Sequence, residues 1–339
     1  YLSGIGSSFV KHIKTYVNWI EEKINISKSS VVVDIGSNDG TCLDVFKKKG
    51  YDVCGVDPAD IAVKISRKKN IYTICDFFNE DTVNKIISKF GKVDLVTSQN
   101  ALAHVDDLKS TFKSISSVLK HNGYFVFEVG YFKNVLEFGN FDTIYHEHLD
   151  YHHGAPLAKY LCSIGFDVIT INVNQIQGGT LRMLLQKSGN GFISKEAKKF
   201  LSEERNSVIY NKEFLNGWSK KVFEICSNIN SIIKKETNKN IPCFAYGSPT
   251  KAVLLLKTSR LSSNEINFVV EDNEFKVGKF LPKNGIQILS VNELDFKKSA
   301  VIVLVAWNFS EDIMQKLKKI YDVPIKIIIP LPKLKVLDL

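Results

Sequence analysis

Val31-Val32-Val33-Asp34-Ile35-Gly36-Ser37-Asn38-Asp39-Gly40-Thr41 opens as a β-branched run and ends in a polar, glycine-marked turn. The run reads as a buried parallel strand, and the turn as its exit into a helix from Thr41. Upstream, Val10, Ile13, Tyr16, Val17, Trp19 and Ile20 recur at helical spacing, which predicts an amphipathic helix over 8–26. Downstream, apolar runs at 52–56, 72–75, 94–98 and 124–128 alternate with helical patterns at 61–69, 81–90 and 108–120. Five strands alternating with helices specify an α/β fold with a doubly wound, Rossmann-like parallel sheet.

Beyond this sheet the pattern changes twice. A helix at 157–164 leads to a strand pair at 167–173 and 179–186, which can close the sheet with an antiparallel edge. Residues 194–235 are charged and helical, and Gly189-Asn190-Gly191 marks a boundary. Two domains follow, 1–190 and 191–339, as expected for 339 residues. The second repeats the alternation: strand 243–246, turn 247–249, helix 250–258, strands 266–270 and 300–305, helix 310–319, strand 325–329. It reads as a smaller Rossmann-like domain.

The net charge of +9 comes from lysine, since arginine stands only at Arg67, Arg182, Arg205 and Arg260. The lysines are spread without interleaved aromatics, unlike a nucleic-acid surface, so no nucleic-acid partner is expected. The six cysteines are isolated, with no C-x-x-C pair, and suit buried free thiols in a reducing cytoplasm. The apolar runs are too short to span a bilayer. A cytoplasmic enzyme is expected, of unknown oligomeric state, monomer or dimer.

Acids stand at three successive strand ends: Asp34 and Asp39 at the first, Asp57 at the second, and Asp76 beside Phe77 and Phe78 at the third. The crevice at such carboxyl ends is where nucleotide-type ligands bind. The turn does not spell G-x-G-x-x-G, and its acids would repel a pyrophosphate. A cationic cofactor with a ribose and an adenine fits better, and S-adenosylmethionine (SAM) has all three. Asp57 suits the ribose hydroxyls, and Asp76 with Phe77 suits the adenine. Singly, each acid reads equally as a cap or turn former.

The second dense stretch is Phe141-Asp142-Thr143-Ile144-Tyr145-His146-Glu147-His148-Leu149-Asp150-Tyr151, followed by His152 and His153. Four of the chain's seven histidines lie here. That density points to proton-transfer chemistry. A polar surface loop and a metal site on His146, His148, His152 and His153 are the rivals. The spacing does not match the common zinc patterns, and no metal is expected.

The chain resembles the sugar C-methyltransferases that act on nucleotide-linked keto-sugars. The resemblance is carried by 34–41, by Asn100-Ala101-Leu102-Ala103-His104, by Phe127-Glu128-Val129-Gly130-Tyr131 and, most specifically, by Tyr145–His148. It continues in Gly178-Gly179-Thr180-Leu181-Arg182 and Tyr246-Gly247-Ser248-Pro249-Thr250-Lys251. It implies a class I SAM-methyltransferase domain, a C-terminal sugar-nucleotide-binding domain, and methyl transfer to a carbon beside a ketone. On it, His148 is the base, with Tyr145 and Glu147 in the same site. Gly36, Asn38, Asn100 and His104 line the cofactor pocket, and Tyr1 closes over it. Tyr131, Arg182, Ser248 and Lys251 contact the nucleotide-diphosphate sugar. These 339 residues hold no four-cysteine zinc module of the kind family members usually carry, Gln177 stands where a histidine is common, and 282–285 lacks a Gly-Thr-His pattern. Sugar O- or N-methylation, a non-catalytic binding module and a nicotinamide oxidoreductase are the alternatives.

Overall fold

The computed structural model describes residues 2–4, 6–237 and 241–339. The chain divides into two compact units, one of residues 1–132 and 147–207, the other of 133–146 and 208–339.

The first unit begins with α1 (Ser7–Lys23). Then β1 (Val31–Ile35), α2 (Thr41–Lys48), β2 (Asp52–Val56), α3 (Asp60–Lys68), β3 (Tyr72–Ile74), α4 (Glu80–Phe90), β4 (Val93–Gln99), α5 (Leu108–Val118) and β5 (Leu119–Gly130) alternate. α6 (Phe132–Phe138), which passes into the second unit after Phe132, and α7 (Gly154–Ser163) flank the histidine-rich stretch; β6 (Phe166–Asn174), β7 (Thr180–Lys187) and α8 (Lys195–Arg205) complete the first unit. The sheet order is β3-β2-β1-β4-β5-β7-β6, with β7 antiparallel to both β5 and β6. This is the class I SAM-methyltransferase arrangement, and the antiparallel edge lies where the sequence put it.

β1 is buried at all five positions, as a central strand covered on both faces must be. α1 turns Phe9, Ile13, Tyr16, Val17 and Ile20 onto Val32, Leu95, Val126 and Leu184. Burial of the Tyr16 ring is completed by its hydroxyl, which donates to the Val126 carbonyl at 3.1 Å. α4 starts with a capping box in which Asn79 and Thr82 satisfy each other's amides.

The second unit is carried by α9 (Lys212–Thr237), followed by β8 (Cys243–Tyr246), α10 (Thr250–Thr258), β9 (Val269–Glu271), β10 (Ile288–Ser290), β11 (Val301–Leu304), α11 (Ser310–Ile320), β12 (Lys326–Ile329) and β13 (Lys335–Asp338). Its sheet runs β10-β9-β8-β11-β12-β13, parallel except for the β13 edge. Along α9, Val222, Cys226, Ile229 and Ile233 share one face and join the core formed with β8, β11 and β12.

The units differ from the expected domains 1–190 and 191–339 in two ways. The passage into the second unit falls after Ser207, and residues 133–146 also belong to that unit. Gly189-Asn190-Gly191 is no linker. The Gly189 amide donates to the Gly165 carbonyl, and the Phe192 amide to the Asp167 carboxylate, at 2.8 and 2.7 Å. α8 is fastened to the first unit by Glu204, which accepts from the amides of Gly154 and Ala155, both at 2.8 Å. Burial works against the Glu204 charge, but these donors with His153 and Tyr131 hold its carboxyl below the ordinary value.

Candidate active site

In the first sheet the strand order reverses between β1 and β4, and the loops leaving those strands frame the crevice where α/β sheets take ligands. Gly36 begins the β1 loop with φ +68, and a Cβ there would meet the Ala101 Cβ at 2.4 Å. Only glycine lets the two loops approach this closely. Asn38 and Asn100 also take positive φ, 51° and 55°, and both loops bend sharply at the crevice.

The cleft is lined by Ser3, Phe9, Asp34, Gly36, Ser37 and Gln99, among others. Asp34 Oδ1 accepts from the Thr97 hydroxyl at 2.7 Å and from Gln99 Nε2 at 3.3 Å. Burial dominates these bonds and, with the nearby Asp57 charge, pushes its carboxyl up to about 7. Each Asp57 oxygen accepts one amide, from Asn38 at 2.9 Å and Ala59 at 2.8 Å. Two buried atoms in this crevice, Ser37 Oγ and Asn100 Nδ2, have no hydrogen-bond partner in the protein. Buried polar groups are rarely left so, and orphans of this kind point to a ligand. A cationic cofactor with hydroxyls and amino groups matches a site of carboxylates, one hydroxyl and one carboxamide.

Some expected cofactor residues have structural duties. Asp39 is engaged by the Gly4 amide at 2.9 Å and the Thr41 hydroxyl at 2.7 Å. The Asn38 side chain accepts the Ser3 amide at 2.9 Å, so the segment 2–4 is strapped over the glycine turn. Asp76 and Phe77 stand at the end of β3, where Phe77 is 70% exposed. Tyr1 lies outside the described residues.

The histidine-rich stretch splits between the units: Tyr145 and His146 belong to the second, Glu147 and His148 to the first. Within the first, it docks on the loop leaving β4. The Leu149 amide donates to the Ala103 carbonyl at 2.7 Å. His104 Nδ1 lies 2.7 Å from the Glu147 carbonyl, and the His104 and His148 rings are 5.0 Å apart. A carbonyl only accepts, so His104 carries a proton on Nδ1. His148 is half-buried, and Glu147 and His146 are exposed. Among the described residues no three His, Cys, Asp or Glu side chains gather as metal ligands.

Four expected substrate contacts have partners within the protein. Arg182 is 6% exposed, its guanidinium bonded to Glu128 at 2.6 and 2.7 Å and stacked against Tyr16 and Trp19. The Tyr131 hydroxyl donates to Glu204 at 3.0 Å. In the second unit, Ser248 gives both its amide and its hydroxyl to Glu271. Lys251 is buried, donating to Asn308 Oδ1 at 2.7 Å. Each of these groups is held by the protein's own acceptors. The residues missed in their place are Gln99, Glu128, Asp142, Glu204 and Trp307. Asp142 stood inside the quoted stretch, but no local pattern distinguishes a buried carboxylate from a turn former.

A methyltransferase domain family matches residues 14–171, and the C-methyltransferase C-terminal domain family matches residues 175–332. C-methyltransferase NovU of Streptomyces niveus is 26% identical over 339 residues, covering 100% of this chain and 81% of NovU. A ubiquinone biosynthesis O-methyltransferase of Acinetobacter baumannii is 26% identical over 116 residues, 33% of this chain and 48% of that enzyme. A crystal structure of a putative S-adenosylmethionine-dependent methyltransferase from Listeria monocytogenes overlaps 51% of this chain and 99% of its own, at 15% identity and TM-score 0.40. No helix among the described residues is long and apolar enough to cross a membrane. The chain has the class I SAM-methyltransferase fold and is similar along its whole length to a C-methyltransferase.

Proposed function

We propose that the protein methylates a carbon next to the ketone of a nucleotide-linked keto-sugar, with His148 as the base. The observation that carries this reading is the full-length relationship to a C-methyltransferase, joined to a histidine pair at the carboxyl end of β4. SAM supplies an electrophilic methyl group and would be held by Asp34, Gly36, Asp57 and Asn100. The rest is done by the chain's own residues.

A C–H bond beside a ketone yields a proton only if a base is held against it and the enolate oxygen is stabilised. Histidine has the intrinsic proton affinity for this near neutrality. Tyr145 donates to the enolate oxygen in this reading, and Glu147 orients the loop through its carbonyl, which receives the His104 proton. His104 in its Nδ1-protonated form leaves Nε2 as an acceptor facing away from that bond.

The test is proton exchange in deuterated water with a panel of nucleotide keto-sugars, read by NMR and mass spectrometry. Wild-type enzyme should exchange the α-proton and, with SAM, add a methyl group at that carbon. His148→Ala should lose both by about 10²–10⁴-fold, the usual scale for general-base catalysis, while still binding SAM. Methylation of a sugar hydroxyl with no deuterium entering the ring would overturn the reading.

A further inference from the structure

The second sheet has its own reversal point, between β8 and β11, and its loops copy the geometry of the first. Gly247 leaves β8 with φ +89, and a Cβ there would lie 2.4 Å from the Ala306 Cβ, as at Gly36 and Ala101. The Gly247 amide donates to the Val270 carbonyl of the neighbouring strand at 2.7 Å, and the Gly36 amide to Val56 at 2.9 Å. In such a fold this crevice takes the ligand. Here a residue of the chain reaches into it. Asp142, from the segment 133–146, is fully buried and accepts Trp307 Nε1 at 2.6 Å. Lys251 Nζ lies 3.7 Å from the same Asp142 oxygen and 3.8 Å from the Trp307 ring centre. Lys251 opens the helix after β8 and Trp307 follows β11, so Asp142 is gripped from both sides of the reversal point. Phe141, beside it, is 4% exposed and belongs to the core of this unit.

We propose that Asp142 is an internal ligand of the second unit's crevice, and that Lys251 and Trp307 are positioning residues that fix the segment carrying Tyr145 and His146. A carboxylate stands where a ligand's phosphate would bind, between a lysine and an indole N–H, three residues before Tyr145. Deep burial opposes both charges: the Lys251 ammonium is pulled down to about 8 and the Asp142 carboxyl is pushed up. Such a pair is specific in geometry and intolerant of losing one member. Its role in catalysis rests on the methylation reading above; its occupancy of the crevice does not.

Two measurements separate these parts. The first follows the Trp307 indole N–H by ¹H–¹⁵N NMR. The resonance should shift in Asp142→Asn and stay fixed when inorganic pyrophosphate or a nucleoside diphosphate is added to the wild-type protein at millimolar concentration. A resonance that titrates with pyrophosphate would show that the crevice takes an outside anion and overturn the proposal. The second is a kinetic split in Lys251→Met and Trp307→Phe. The rate kcat should fall about ten- to 10²-fold, the scale of an ångström-level misplacement, with sugar KM and SAM Kd unchanged within about twofold. Lys251→Arg should recover most of the rate. A raised sugar KM at unchanged kcat would make Lys251 a substrate ligand instead, and unchanged kcat and KM would remove the positioning role.

Discussion

Asp34 joins burial to cofactor chemistry most directly. Its carboxyl titrates at about 7 because it is buried near Asp57, against an ordinary value of 3.8. A carboxyl raised in this way contributes stability fully below about pH 4, and the contribution is lost as pH rises through about 7. The cofactor-free protein should therefore lose stability across that window. A cationic cofactor favours the ionised form, so SAM binding below pH 7 should release a proton. Between pH 6 and pH 8 the SAM Kd should tighten by about tenfold. Calorimetry in buffers of different ionisation heat checks this, and a Kd independent of pH would mean that the cofactor's charge does not meet Asp34. Sequence showed an acid at this strand end. It could not show that Thr97 and Gln99, from β4, would share one of its oxygens, because that bond joins residues more than sixty positions apart.

At the scale of elements, three of them converge on one buried carboxylate of a fourth. Glu128 at the end of β5 is bonded by Arg182 of β7, by Asn174 of β6 at 2.8 Å and by His12 of α1 at 2.7 Å. Removing one charge of a buried pair leaves the other uncompensated. Arg182→Met should lower unfolding stability by about 3–5 kcal/mol in urea titration. A raised sugar KM at unchanged stability would instead restore Arg182 as a phosphate contact. β1 was legible because five consecutive apolar or buried positions lie between two turns. β10 and β13 were not: Ile288-Leu289-Ser290 and Lys335-Val336-Leu337-Asp338 have no period of their own. They are strands because β9 and β12 offer them partners. α6, seven residues long, is too short for helical periodicity to declare itself.

On the scale of the molecule, the chain enters the second unit at residue 133, returns at 147 and leaves again at 208. Sequence suggested one boundary because composition changes once, near Gly189. An excursion of fourteen residues leaves no compositional trace; what assigns it to the second unit is Phe141 in a core and Asp142 on Trp307. The first unit alone carries the residues proposed to hold the cofactor, which gives a measurable expectation. SAM at about 100 times its Kd should stabilise that unit by about 2.7 kcal/mol. For a unit of this size the unfolding midpoint should rise by several degrees, about 2–4 °C per kcal/mol. NAD at the same concentration should leave the midpoint unchanged, and a shift with NAD but not SAM would reverse the cofactor assignment.

The paired close approaches at Gly36 with Ala101 and Gly247 with Ala306 also have a genetic meaning. Every missense change at a glycine codon adds a Cβ, so no amino-acid change at these two positions leaves the contact untouched. A selection for revertants of Gly36→Ala should return Ala101→Gly, and one for revertants of Gly247→Ala should return Ala306→Gly. Such suppressors would restore space but not the left-handed backbone, and recovery should be partial in both halves of the gene.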